Sequence, residues 1–274
     1  MAGITMDKLE KALEKARGMR GSSFSQPTEQ MRSRKHSDIV LPHPSNAVRM
    51  REEVLERHRV LAHHTRDTTA DIFRILRTRV LQIMSQSGWR TLAITSPNYG
   101  DGKTTTALNL AVSISLDLKQ TVLLADMDLR KPGVTSYLGI RSAAGLTDHI
   151  IDDRPVAQCL LRTSFDRLVL LPSGRALDNS SEVLGSTKMS SFARELKARY
   201  DDRIIIYDMP PVLAQDDSIA FLPNIDAVLM VVREGVTKVE DIKRSMNALS
   251  AANVIGIVLN NSGRNAIPEV RAYA

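Results

Sequence analysis

Residues 91–105, Thr-Leu-Ala-Ile-Thr-Ser-Pro-Asn-Tyr-Gly-Asp-Gly-Lys-Thr-Thr, join an apolar strand to a glycine turn that ends Gly102-Lys103-Thr104 and opens a helix. Backbone N–H groups in such a turn point inward and cradle phosphate oxygens, assisted by the positive end of the following helix. In this pattern Lys103 reaches the β/γ-phosphates and the Thr104 hydroxyl ligates Mg²⁺, while Gly100, Asp101, Gly102 and Thr105 contribute amides. The usual spacing asks for glycine at position 97, where Pro97 stands. A solvated lysine in an ordinary βα turn is the competing reading. The strand before the turn and the helix Thr104–Leu116 after it favour a nucleoside triphosphate loop.

The 274 residues are 43% hydrophobic and 25% charged, an ordinary globular composition with room for one large α/β domain and an appendage. No apolar run approaches the roughly 18–20 residues that span a bilayer. The charged beginning (Lys8, Glu10, Lys11, Glu14, Lys15) does not read as a signal peptide. One cysteine, Cys159, excludes an internal disulfide framework, fits a reducing cytoplasm, and sits in an apolar patch that reads as core. The net charge of +6 is uneven: residues 1–90 hold 17 Lys/Arg and 10 Asp/Glu, the remainder 20 and 21. The basic excess therefore belongs to the first third, where it suits an acidic partner, an anionic surface or simple solvation.

Leu9, Ala12, Leu13 and Ala16 recur at helical spacing within Met6–Arg17, predicting a short interaction helix that needs a surface to dock on. Gly18 to about Asn46 reads as a flexible basic linker, so residues 1–46 form a partly disordered helical leader and 47–274 the folded domain, with its core at about 68–262. Residues 47–87 are helical in pattern. His63 and His64 are adjacent, with no Cys or acidic partner at metal-ligand spacing, and read as a surface pair. Strands are expected at Leu92–Thr95, Val122–Asp126, Leu168–Leu171, Ile204–Asp208, Ala227–Val232 and Val254–Asn260. Helices at Thr104–Leu116, Ser181–Tyr200, Asp216–Phe221 and Val239–Ala252 separate them. Apolar strands alternating with helices predict a mostly parallel sheet covered on both faces, a three-layer α/β fold with its ligand at the carboxyl ends of the strands.

Two such strands end in carboxylates. Val122–Asp126 runs into Met127-Asp128, and i/i+2 spacing on a strand would aim Asp126 and Asp128 at one point, suited to Mg²⁺ or to a general base. Ile204-Ile205-Ile206-Tyr207-Asp208-Met209-Pro210-Pro211 places Asp208 opposite the phosphate loop, and the double proline stiffens the exit.

Taken together these motifs resemble the bacterial tyrosine kinases, P-loop proteins of capsule and exopolysaccharide export. Ser96-Pro97…Gly100-Asp101-Gly102-Lys103-Thr104 is similar to that family's loop, where proline at position 97 is usual. Asp126-Met-Asp128-Leu-Arg130-Lys-Pro132 resembles its second aspartate motif, and Asp208-Met-Pro-Pro its third. Asp71-Ile-Phe-Arg74-Ile-Leu-Arg77 looks like the family's Glu-x-x-Arg-x-x-Arg helix between subunits of a ring, with Asp71 replacing glutamate. Asn260 and Asn261 sit where related ATPases place an asparagine near the base, and the opening Leu9–Ala16 resembles the leader of the exosortase-associated branch.

The resemblance implies a homo-oligomeric, cytoplasmic ATP- and Mg²⁺-dependent protein tyrosine autokinase, recruited to the membrane by a polysaccharide co-polymerase that controls chain length. It gives Lys103 the phosphates, Thr104 the metal with Asp128 and Asp208 behind it, and Asp126 the acceptor hydroxyl. The family's terminal tyrosine cluster is reduced here to one residue, Tyr273, the candidate phosphoacceptor. The alternatives are a kinase homologue that has lost autophosphorylation or an ATPase switch of the partition or septum-positioning type. Those ATPases carry a loop lysine where Asn98 stands. No groove or recognition helix points to specific nucleic-acid binding, and no Gly-x-Gly-x-x-Gly supports a dinucleotide enzyme.

Overall fold

The computed structural model describes residues 47–140, 143–199 and 202–262. The expected leader helix and linker, Tyr200 and Tyr273 lie outside the described residues. Seven strands form one sheet: β1 (Thr91–Thr95), β2 (Thr121–Asp126), β3 (Leu161–Arg162), β4 (Leu168–Leu171), β5 (Arg203–Asp208), β6 (Ala227–Arg233) and β7 (Val254–Asn260). Their order is β3-β4-β2-β5-β1-β6-β7, and every pair is parallel except β3–β4. The six anticipated strands are present within a residue at either end. The antiparallel edge β3 was not expected; two residues carry too little pattern to be read as a strand.

The central strands are apolar throughout because both faces are covered. Leu92, Ile94, Leu124 and Ile206 pack with Val80, Met84, Leu108 and Ile114, while Ala93, Leu123, Ile205 and Met230 pack with Leu184, Phe192, Leu196 and Phe221. Successive residues therefore enter opposite cores, the arrangement a doubly covered parallel sheet requires. The first core is closed by α1 (Glu52–Arg57), α2 (Thr68–Ser87) and α3 (Lys103–Ser115). On the other face lie α5 (Leu146–Asp152), α6 (Val156–Cys159), α7 (Ser180–Leu184), α8 (Thr187–Arg199) and α9 (Asp217–Phe221), following the one-turn α4 (Val134–Tyr137); α10 (Val239–Ala248) precedes β7. Cys159 is a buried free thiol within this second core.

Three helical expectations change in detail. The 47–87 stretch is two helices, because the chain turns through Arg59 (φ +56°) and is captured by a buried asparagine before Asp67 caps α2 through the Thr69 and Ala70 amides. The single helix expected at Ser181–Tyr200 is broken at Gly185-Ser186, where the Ser186 hydroxyl accepts from the Met189 amide and starts a new helix. The last helix ends at Ala248 rather than Ala252.

The capturing residue is Asn109 on α3, a helix buried everywhere but at Thr105. Its Oδ1 accepts the amides of Leu61 and Ala62 at 2.8 and 2.9 Å, and its Nδ2 donates to the carbonyls of Arg59 and Thr105. The segment before α2 is thus tied to the helix that carries the phosphate loop's lysine. Asn109→Ala removes all four bonds and strands two amides, so denaturant melts should show a loss of about 2–4 kcal/mol; a loss under about 1 kcal/mol would mean that water or relaxation replaces them.

Candidate active site

The register of the central strands brings the polar motifs to one level. Asp126 at the end of β2 pairs with Asp208 at the end of β5, and Asp208 pairs in turn with Ile94 one residue before the end of β1. The loop leaving β1 then turns at Gly100 (φ +85°) and Gly102 (φ +98°) into α3. Gly102 is demanded twice over: its backbone is left-handed, and a Cβ there would stand 1.9 Å from Asn260 Nδ2.

The loop is braced from beneath. Asp101, buried, accepts the Asn98 amide at 2.9 Å and the Thr237 hydroxyl at 2.7 Å, so its side chain faces the fold and only its backbone is placed to meet a phosphate. Asn260 donates to the Asp101 carbonyl at 2.9 Å. It therefore holds the loop, whereas the exposed Asn261 turns with φ +58° at the end of β7. The double proline after Asp208 is laced to the same loop, with the Val212 amide donating to the Ser96 carbonyl and the Thr95 hydroxyl to that of Pro210. Asn98, at the position of the partition ATPases' lysine, donates to Asp241 on α10.

Lys103 lies buried among carboxylates. Its Nζ is 3.1 Å from Asp128 Oδ2 and 3.8 Å from Asp208 Oδ1, and the Thr104 hydroxyl donates to Asp208 Oδ2 at 2.7 Å. Burial alone would lower the affinity of Lys103 for its proton, but Asp208 and Asp128 outweigh it and raise the pKa. Asp126 is pushed up to about 7 by burial and then by the neighbouring Asp208 charge. Burial likewise raises Asp208, offset in part by Lys103 and Thr104.

The expectation that Asp126 and Asp128 aim at one point is corrected. Period-two alternation holds only while the backbone stays extended, and β2 ends at Asp126. Asp126 turns to the amides of Asp128, Gly133 and Val134, at 3.3, 3.0 and 3.0 Å, and organises the turn after the strand. Asp128 accepts the Lys131 amide with one oxygen and meets Lys103 with the other.

Asp128 and Asp208 face one ammonium, leaving a formal excess of one negative charge before the buried Asp126 is counted, and Asp208 Oδ1 has no hydrogen-bond donor. A hard divalent cation satisfies that excess, and the hydroxyl and carboxylate oxygens of Thr104, Asp128 and Asp208 are the donor set Mg²⁺ prefers. The residues present therefore fit the metal.

Elsewhere the candidate residues are divided. Asp71, Arg74 and Arg77 share α2, but Arg74 pairs with Asp71 and donates to the His64 carbonyl at 3.0 Å, while Arg77 donates to Ser113 on α3 at 2.8 Å. Beside them Ile72 and Ile75 are exposed. His63 and His64 are half-buried and do have an acidic partner: Glu52, eleven residues upstream, is returned to them by the turn after α1. Sequence reasoning also passed over Tyr99, which stands exposed at the loop with Lys131 Nζ 4.4 Å above its ring and Gln215 bonded to its hydroxyl. Tyr207 is fully buried.

A parallel sheet with a glycine loop, a buried lysine and strand-end aspartates defines a P-loop nucleotide-binding protein. The sequence matches the AAA_31 family, an AAA domain, over residues 89–259. It is 31% identical over 209 residues to the tyrosine-protein kinase YwqD of Bacillus subtilis, covering 75% of this chain and 86% of YwqD. It is 29% identical to the succinoglycan biosynthesis transport protein ExoP of Rhizobium meliloti, covering 76% of this chain but only 27% of ExoP. The VpsO kinase domain superimposes with a TM-score of 0.66 at 29% identity, covering 76% of this chain and 98% of that one. The chain belongs to the bacterial tyrosine kinase family of P-loop proteins. Among the described residues no helix is long and apolar enough to cross a membrane.

The charge excess gives a pH dependence of definite sign. Asp126 holds a proton to about pH 7 in the folded chain and only to its ordinary 3.8 when unfolded. In that window the folded state binds more protons, so this residue's contribution to stability falls as pH rises. Thermal melts without divalent cations should show wild type losing stability relative to Asp126→Asn between about pH 4 and pH 7, a difference that Mg²⁺ reduces above the window. Identical slopes in wild type and variant would place the titration elsewhere.

Proposed function

We propose that this chain is an ATP:protein tyrosine phosphotransferase that phosphorylates its own kind and acts in exopolysaccharide export with a membrane co-polymerase. The carrying observation is the pocket formed by Lys103, Thr104, Asp128 and Asp208, whose buried negative excess calls for a divalent cation and the phosphates that accompany it. The names of YwqD and ExoP support the kinase chemistry and the polysaccharide setting respectively.

In this reading the amides of residues 100–105 bind the β/γ-phosphates, and Lys103 exchanges its carboxylate partners for phosphate oxygens. Thr104 would hold Mg²⁺ with Asp128 and Asp208 behind it; the cation supplies neutralisation of phosphate charge. Asp101, Thr237 and Asn260 keep the loop in place while that exchange occurs, so the amide cradle itself does not reorganise. Because phosphoryl transfer has a loose transition state, positioning and charge neutralisation carry most of the rate.

Asp126 has a proton affinity suited to drawing the proton from an acceptor tyrosine, since a base works best with a pKa near the working pH. To reach that hydroxyl it must release the Gly133 and Val134 amides. Tyr273 is the proposed acceptor. Asp71, Arg74 and Arg77, with exposed Ile72 and Ile75 beside them, are the proposed contact between copies.

A second reading, an ATP-driven switch without autophosphorylation, draws on Asp126, whose oxygens are taken by the Asp128, Gly133 and Val134 amides. Incubation with ATP and Mg²⁺ followed by phosphotyrosine blotting separates the two. Lys103→Met should reduce incorporation at least about 100-fold with the fold intact, and Tyr273→Phe should abolish it. Persistent signal in Tyr273→Phe moves the acceptor elsewhere. No signal from wild type that binds ATP, even with the partner's cytoplasmic tail present, overturns the kinase reading.

A further inference from the structure

A second constellation lies away from the phosphate loop, where α1 meets the turn leading into α2. His63 Nε2 lies 2.9 and 3.2 Å from the two carboxylate oxygens of Glu52, and His64 Nε2 lies 2.8 Å from one of them. One ligand atom from each residue falls within 4.8 Å of the others. Neighbouring residues in a chain commonly direct their side chains apart, yet these two imidazoles converge, with ring centroids 4.4 Å apart and planes at 82°.

Their convergence is built into the fold. Asn109 fixes the amides of Leu61 and Ala62 just upstream, and Arg74 holds the His64 carbonyl from α2. Phe165, from the β3–β4 connection, packs on the His63 ring at 5.6 Å. The rings are thus oriented by groups that are not themselves part of the constellation.

We propose that Glu52, His63 and His64 form a binding site for a borderline divalent cation of the zinc type, distinct from the magnesium pocket at Lys103 and Thr104. Two imidazole nitrogens and one carboxylate select Zn²⁺ and its neighbours over Mg²⁺ or Ca²⁺, which take oxygen ligands. Zinc–ligand bonds of about 2.0–2.2 Å in a tetrahedron place ligand atoms roughly 3.3–3.5 Å apart. The carboxylate–imidazole separations of 2.9 and 2.8 Å are about half an ångström shorter, and the ligand atoms of the two rings lie within 4.8 Å of each other. Glu52, with 55% of its side chain exposed, is free to withdraw by that amount. Water takes the fourth position.

Such a cation would staple the start of α1 to the turn whose carbonyl anchors Arg74, coupling occupancy to the order of the segment in front of α2. The site does not depend on the kinase reading, and its test needs no activity. Untagged full-length protein, stripped with chelator, is titrated with Zn²⁺ by calorimetry and with Co²⁺ by visible absorption. The expected result is one equivalent of zinc per chain, a rise in Tm, and tetrahedral cobalt bands. Glu52→Gln and His64→Ala should each weaken binding at least about tenfold, and Asp128→Asn should leave it unchanged. His64→Ala replaces the more exposed of the two rings, and unchanged melting without metal certifies its fold. Equal zinc affinity in wild type and both ligand variants, or loss of binding in Asp128→Asn, overturns the proposal and leaves a carboxylate–histidine ion pair alone.

Discussion

Lys103 is an ammonium buried against Asp128 and Asp208, within the field of the buried Asp126, and the rest of the domain is arranged around that fact. Removing such charges from water is expensive unless partners are fixed in advance. The partners come from different strands: Asp208 from β5, and Asp126 and Asp128 from the end of β2 and the turn beyond it. Only a parallel sheet in which β5 lies between β1 and β2 delivers all of them to one end. The two apolar cores are what keep the strands in that register, so packing far from the pocket determines its electrostatics.

The same economy governs the loop. A cradle of amides is useful only if it holds its shape when phosphate arrives, and here two side chains and one backbone amide from distant elements hold it. Asp101 turns inward to Thr237, Asn260 reaches from the edge strand to the Asp101 carbonyl, and the chain after Asp208 bonds back to Ser96. The remaining negative excess in the pocket is a chemical specification: it fits a divalent cation and an anion that accepts Lys103.

Much of this was legible in the chain itself. Glycines before Lys103-Thr104, and apolar runs closing on Asp126 and Asp208, can be read because phosphate cradles and buried strands tolerate few residue types. Local pattern failed wherever one side chain overrode it. Asn109 and the left-handed Arg59 set two helices within the helical stretch 47–87, Ser186 restarts a helix after Gly185, and the end of β2 sends Asp126 and Asp128 in different directions. Glu52 illustrates the limit most clearly, since eleven residues of separation hide a contact made by a turn.

The sequence by itself determined the class of fold, the phosphate loop and the identity of the charged residues at strand ends, because periodicity and motif spacing are local properties of the chain. Tertiary structure alone decided which oxygens face Lys103, that Asp101 and Asn260 brace the loop, and that two histidines share a carboxylate. Those outcomes depend on strand order and turn geometry, which bring together residues from 11 to 159 positions apart and are written in no single segment.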